Sequence, residues 1–337
     1  MKIALSYDLK SDYIALGWTP AEAAEFDSEA TLAGIEGALR QLGHSTERVG
    51  RCVELAKRLV AGQRWELVFN ICEGAWGRNR EAQAPALCEL FDQLYTFCDP
   101  LTAALTLDKG IAKRVVRDGG LRTPEFLVVE SLSDLERLAL PFPLFAKPVA
   151  EGTGKGIDAA SIIRDRASLE RACKALLARH SQPVLVEEFL PGRETTVGIV
   201  GTGSDARVLG VMEVVLLKNA EKGVYSFHNK ENWHGRVEYR LTEPGAFSDA
   251  CAALALAAYR LLGCRDAGRV DLRADALGSP HFLEVNPLAG MTPEYSDLPI
   301  LNGLVGRSYT QLIDDIVNSA MKRARDGSGY LVSGRNA

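Results

Sequence analysis

Apolar positions along the chain follow three successive patterns. KIALSY (2–7) and ELVFNI (66–71) are short apolar runs bounded by polar residues, as buried strands are. Leu32, Ile35, Leu39 and Leu42 recur at helical spacing over 28–42, and helical patterns follow at 53–61 and 83–94. This alternation predicts a doubly wound α/β unit with a parallel sheet. The segment Asp108 to Gly120 carries Ile111, Val115 and Val116 and closes on Gly119-Gly120, a natural helix stop.

From about residue 125 the pattern changes. FLVVE, PLFAK, IDAASII and VLVEEF read as strands, with one helix over 166–179, which predicts a small α+β unit of antiparallel character. After Gly192 come strands over 193–201 and 206–217, a helix over 246–262, a hairpin over 269–290 and a last helix over 308–324. The expected boundaries are 1–105 for the N-terminal α/β domain, 106–190 for the central domain and 191–325 for a mixed-sheet C-terminal domain. The Gly/Ser-rich stretch 326–337 is expected to be a flexible tail.

The hairpin RVDLRADALGSPHFLEVNPLAG changes the picture from fold to chemistry. Side chains alternate along a strand, so Arg269, Asp271, Glu284 and Asn286 share one face, and Val270, Leu272, Leu283 and Val285 the other. A turn centred on Leu277-Gly278 sets 271 opposite 284 and 269 opposite 286, with Cβ atoms about 5 Å apart. Two carboxylates that close repel unless a cation lies between them or one keeps its proton. Asp, Glu and Asn offer the hard oxygens that Mg²⁺ takes, and Mg²⁺ completes its shell with water and phosphate. No histidine is among them, which argues against zinc. Arg269 beside them suits a phosphate or a developing oxyanion. The plain alternative is an exposed sheet face with a salt bridge.

Two further stretches carry weaker signals. KPVAEGTGKGI (147–157) has neither a GxxxxGK[ST] nor a GxGxxG frame, and a strand follows it rather than a helix. Its Gly152, Gly154 and Gly156 can still lay N–H groups over phosphates as a lid, with Lys147 and Lys155 as cations, or they form an ordinary turn. VEEFLPGRE places Glu187, Glu188 and Glu194 around a Pro-Gly break. They either accept from an adenine amine and ribose hydroxyls or face water.

Composition narrows the classes. A chain of 337 residues, 47% hydrophobic and 25% charged, suits a globular protein of two or three domains. The net charge of −5 argues against a broad surface for nucleic acid or anionic membrane. No apolar run approaches the roughly 20 residues of a membrane span. MKIALSYDLK lacks the apolar core and cleavage site of a signal peptide. Seven scattered cysteines without CxxC spacing make neither a disulfide framework nor a zinc site, so a cytoplasmic protein is expected.

Taken in order, EG…REAQ (73–83), LDKGIAKRVVRDGGLRTP (107–124), FAKPVAEGTGKGI, VLVEEFLPGRETTVGIVG (184–201) and GRVDLRADALGSPHFLEVNPLAGMTP (268–293) resemble the ATP-grasp superfamily, in its D-alanine–D-alanine ligase branch. The resemblance implies three domains, with ATP between the central and C-terminal ones. It implies a ligase that joins a carboxylate to an amine through an acyl phosphate, releasing ADP and phosphate. Lys109 and Lys147 match lysines on the nucleotide phosphates. Glu187, Glu188 and the backbone near Phe189 match adenine contacts, and Glu194 the ribose contact. Gly152, Gly154 and Lys155 fall in the phosphate-covering loop. Asp271, Glu284 and Asn286 match ligands of two Mg²⁺ ions, which Mn²⁺ can replace. Arg269 matches the arginine that stabilises the transferring phosphoryl group, Gly290 a backbone amide beside the intermediate, and Lys230 the lysine of a loop over the γ-phosphate. The partners implied are small amino-acid-like carboxylate and amine substrates and a second copy of the chain in a homodimer, with no nucleic acid and no membrane.

The chain departs from that family in four places. Its GGxSxE substrate loop is replaced by an insert carrying Asp12, Glu22, Glu25, Asp27 and Glu29. Thr153 stands for the serine of the glycine loop, and Glu231 for the tyrosine after Lys230. MTPEYSDLP runs one residue longer, with Ser296 in the substrate-carboxylate position. The leading expectation is therefore a ligase whose substrates are not two D-alanines, the insert recognising a cationic or unusual amine. The alternatives are an authentic D-alanine–D-alanine ligase and an inactive ATP-binding regulator, and the plain reading of the insert is a solvated lead-in to a helix.

Overall fold

The structure, a computed structural model, describes residues 1–219 and 235–326; Lys230, Glu231 and the tail from 327 lie outside the described residues. Lys2–Tyr7 (β1), Ser45–Gly50 (β2) and Leu67–Ile71 (β3) form a parallel sheet in the order β2-β1-β3. All of β1 but Lys2 is buried, which is why it reads as an unbroken apolar run rather than an alternation. The insert supplies a short helix, Lys10–Ala15 (α1). Glu29–Gln41 (α2) then starts at Ser28, whose hydroxyl accepts from the Thr31 N–H in a capping box. Cys52–Val60 (α3), Gln83–Leu90 (α4), Pro100–Leu107 (α5) and Lys109–Asp118 (α6) complete the first half. Asp99 and Asp108 cap α5 and α6.

Phe126–Val129 (β4), Leu144–Pro148 (β5), Ile162–Ile163 (β6) and Val184–Glu188 (β7) form an antiparallel sheet, β4-β7-β5-β6, with Arg166–His180 (α7) packed against it. IDAASII, expected to be one strand, is a strand only at its last two residues. Asp158 accepts from the Ala160 N–H at 2.7 Å and winds Ala159–Ser161 into a 3₁₀ turn. A local Asp-to-backbone bond here outcompetes the ladder.

Glu194–Val200 (β8), Arg207–Leu216 (β9), Val237–Leu241 (β10), Ala267–Ala274 (β11) and Pro280–Asn286 (β12) make an antiparallel sheet in the order β10-β9-β8-β11-β12. Ala246–Leu261 (α8) covers one face through Cys251, Ala255 and Tyr259, and Val116 of α6 joins that core. Asp297–Leu304 (α9) and Tyr309–Asp326 (α10) follow. Helix α10 returns to the first sheet, where Leu312, Ile313 and Ile316 pack with Ile3, Leu5 and Ile35. Among the described residues no helix is long and apolar enough to cross a membrane. All seven cysteines are free.

Candidate active site

The hairpin pairs as its arithmetic predicts near the strand ends: Arg269 lies opposite Asn286 and Asp271 opposite Glu284. A bulge then follows Asp271, and Leu272 faces Phe282 rather than Leu283. The extra residue reverses the alternation beyond that point. Phe282 is fully buried in the core, whereas Leu283, expected there, lines a cavity on the polar face.

Asp271 accepts from the Thr196 hydroxyl at 2.9 Å through Oδ1, and from Arg269 and the Asn286 amide through Oδ2. Burial alone would raise the Glu284 carboxyl, but Lys109, Lys147 and Arg269 outweigh it and hold it down at about 2. Lys109 Nζ lies 3.3 Å from Glu284 and donates to the Glu151 carbonyl. Two carboxylates and an amide, without imidazole or thiolate, form a donor set that suits a hard divalent cation completing its shell with phosphate oxygens.

Across from this face, β5 and β7 supply Lys147 and Glu187. Lys147 Nζ lies 2.9 Å from Glu187, and Lys113 Nζ reaches the other carboxylate oxygen at 2.8 Å. One carboxylate thus serves two lysines. Burial pulls Lys113 down to about 8, while Lys147, which also feels Glu284, stays raised. Glu194 is bonded to Arg273, whose guanidinium lies over the Phe189 ring. The Glu188 carboxylate accepts from the Glu125 N–H, and the Phe189 N–H donates to the Pro143 carbonyl. Lys147, Glu187, Glu188, Phe189, Glu194 and Arg273, with Gly154 and Leu283, bound a cavity of about 110 Å³.

A larger cavity of about 440 Å³ adjoins it, with Lys109, Thr153, Arg269 and Glu284 lining both. Gly290 and Ser296 sit on its wall; the Ser296 hydroxyl accepts from the Thr292 N–H at 3.1 Å. A Cβ on Gly290 would meet that hydroxyl oxygen at 2.8 Å, so the glycine permits the close approach. The glycine loop is fastened to the insert. The Gly152 N–H donates to Glu25 at 2.7 Å, and Lys155 points to the Glu22 carbonyl and to Glu25. Thr153 is left-handed at φ 50°, followed by Gly154 and Gly156 at positive φ.

Of the insert's five carboxylates, Glu25 and Asp27 line the larger cavity while Asp12, Glu22 and Glu29 are exposed. Glu73 and Glu81 complete an acidic wall around Arg80. Burial pushes Glu81 up to about 7 against the pull of Arg80, and raises Glu73 with help from Glu81 and Glu25. Glu25 stays low, because Arg80 and Lys155 outweigh its burial.

Burial also raises Asp27 from 3.8 to about 8. Between those values the folded chain holds one proton more than the unfolded chain, so stability falls as pH rises through the window. The stability advantage of Asp27→Asn over the parent is therefore expected to grow from pH 4 to pH 8. Urea midpoints at the two pH values check it, and a constant difference would refute the assignment.

Sequence reasoning missed Lys113, Arg273 and Asp297. Lys113 lies one turn after Lys109 on the buried side of α6, and Arg273 continues the alternation from Arg269 and Asp271; both were open to detection by periodicity. Asp297 gave no such signal.

Comparison with known proteins matches residues 115–318 to the family model for the D-ala D-ala ligase C-terminus. The D-alanine–D-alanine ligase of Bordetella petrii is 34% identical over 294 residues, covering 86% of this chain and 83% of that one. Among solved structures, the D-alanine–D-alanine ligase of Bacillus anthracis complexed with ATP superposes with a TM-score of 0.74 at 20% identity, over 98% of this chain and 100% of that one. The VanG D-Ala:D-Ser ligase of Enterococcus faecalis superposes with a TM-score of 0.72 at 19% identity, over 95% and 99%. Those likenesses, with the mixed α/β and α+β layers around three sheets, define the class as the three-domain ATP-grasp fold. By sequence the chain belongs to the D-alanine–D-alanine ligase family, and it is an ATP-dependent ligase that forms carbon–nitrogen bonds.

Proposed function

We propose that the chain activates the carboxylate of one amino-acid-like substrate as an acyl phosphate, at the expense of ATP, and joins it to the amine of a second. The observation that carries this reading is the hairpin register, which puts Arg269, Asp271, Glu284 and Asn286 on one face at the junction of two cavities. In this reading the smaller cavity takes the nucleotide. Lys147 and Glu187 face its base and phosphates, Glu194 its ribose, and Gly152, Gly154 and Lys155 belong to the loop beside them. Asp271, Glu284 and Asn286 hold two Mg²⁺ ions, which supply charge neutralisation for the phosphates when bound. Lys109 and Arg269 stand where negative charge develops as the phosphoryl group moves. Gly290, Thr153 and Ser296 border the larger cavity, where the amino-acid substrates fit. Lys230 completes the reading from outside the described residues.

The substrate pair in this proposal is not two D-alanines. Glu25, kept low by Arg80 and Lys155, stands on the larger cavity's wall beside Asp27, Glu73 and Glu81, whose carboxyls burial raises, and this lining favours a substrate that offers an amine or other polar group where alanine has only a methyl. A phosphate-release assay with a broad amino-acid panel and Mg²⁺, followed by mass spectrometry of the product, tests both levels. ADP formation dependent on two substrates supports the ligase. Rapid turnover with D-alanine alone would overturn the substrate reading, and tight ATP binding without turnover on any pair would overturn the enzyme. Glu25→Gln is expected to raise the KM of the amine-bearing substrate by about tenfold or more, the loss of one hydrogen bond to a charged group.

A further inference from the structure

We propose that Asp297 is a positioning residue for Arg269, holding its guanidinium at the passage between the two cavities from the substrate side. The inference rests on the ligase reading for its activity measurement. Arg269 borders both cavities, Asp271 borders only the smaller and Asp297 only the larger. A single guanidinium nitrogen, Nη1, meets both carboxylates: Asp271 directly, and Asp297 at 3.6 Å. Arg269 is thus held between two anions that belong to different compartments.

The two anions have different prospects. Asp271 is shared, since Thr196 and Asn286 also donate to it and it faces Glu284 across the hairpin. When a divalent cation draws the Asp271 oxygens, the guanidinium loses much of that partner. Asp297 stands outside the donor set and keeps its hold.

Its placement is costly unless it acts on a charge. Asp297 is the first residue of α9, and its side chain is 2% exposed. An apolar side chain would fill such a site without the desolvation penalty of a buried carboxylate. The helix N-terminus eases that penalty, and Arg269 offsets more of it. The same α9 packs on β8 and β9 through Leu298 and Leu301, which close on Gly198 and Gly210 and seat the helix that begins at Asp297.

The test uses the full-length protein with Asp297→Asn, which keeps the shape and removes the charge, and Asp297→Leu, which fills the site with an apolar group. Asp297→Asn is expected to lower kcat by between about 10- and 100-fold, the usual cost of losing a residue that orients a functional group. The KM for ATP and the calorimetric Kd for metal-free ADP are expected to stay within about threefold, because Asp297 itself does not line the smaller cavity. Mn²⁺ affinity of the ADP complex, read by electron paramagnetic resonance, is expected to weaken by about tenfold, since Asp271 must then serve Arg269 alone. Asp297→Leu is expected to repeat these losses. Unchanged kcat in either variant overturns the proposal. So does a parallel fall in kcat, ADP affinity and melting temperature, which marks a merely structural carboxylate. If the parent turns over no substrate pair, it is the ligase reading that fails, and Mn²⁺ affinity alone then decides the role of Asp297.

Discussion

Arg269→Ala is expected to lower kcat by about 10²- to 10³-fold while leaving the KM for ATP within about threefold, the pattern of an interaction made only in the transition state. Arg269 lines both cavities on the hairpin face that carries Asp271, Glu284 and Asn286. A guanidinium there can follow charge as it passes from the terminal phosphate to the substrate carboxylate and then to the tetrahedral adduct with the amine. Neighbouring Asp271, Asp297 and Glu284 keep it charged against its burial. Arg269→Lys preserves the charge but not the planar fork, and is expected to recover only part of the loss. It also guards the test against misfolding, since alanine leaves Asp271 and Asp297 without their shared cation. Steady-state kinetics beside calorimetric ADP binding checks the expectation. An equal loss in ADP affinity would mean that Arg269 holds the ground state and is not a transition-state group.

The second large effect concerns stability. Arg323 on α10 donates to both oxygens of Asp266, at 3.1 and 2.7 Å, and to the Tyr95 carbonyl at 3.0 Å. Asp266 is fully buried, lies in the left-handed region at φ 63°, and also accepts from Ser319, Thr202 and the Phe97 N–H. One carboxylate thus joins the first sheet's edge, the third sheet and the C-terminal helix. Arg323→Met leaves a buried anion with neutral donors only, and is expected to cost about 3–5 kcal/mol in urea unfolding. Adding Asp266→Asn removes the stranded charge and keeps a residue that tolerates positive φ. The double variant is therefore expected to be more stable than Arg323→Met alone. If it is less stable, the neutral donors rather than the ion pair hold Asp266.

The chain's local patterns already carry the elements and most of the site. The apolar run of β1, the stripe on α2 and the alternation of β11 are consequences of side-chain periodicity, which is written in the sequence. The pairing of Asp271 with Glu284 follows from a short turn, so it too was legible. Periodicity fails where one residue shifts the count. The bulge that turns Leu283 toward the smaller cavity depends on packing of Phe282 under α6 and α8, and no local pattern announces it. Likewise, STERVG (45–50) has too few apolar residues to read as a strand, and becomes β2 because β1 offers it a parallel partner.

Local pattern thus sets most of the helices and strands, and which hairpin face carries the oxygen donors and Arg269. Only the tertiary structure decided what meets that face: Lys113 under Glu187, Glu25 on the glycine loop, and Asp297 behind Arg269, each separated along the chain by tens of residues. The physical reason is range. Backbone geometry repeats over two to four residues and imprints itself on local spacing, whereas ion pairs between elements are fixed by how the layers pack, which no single segment encodes.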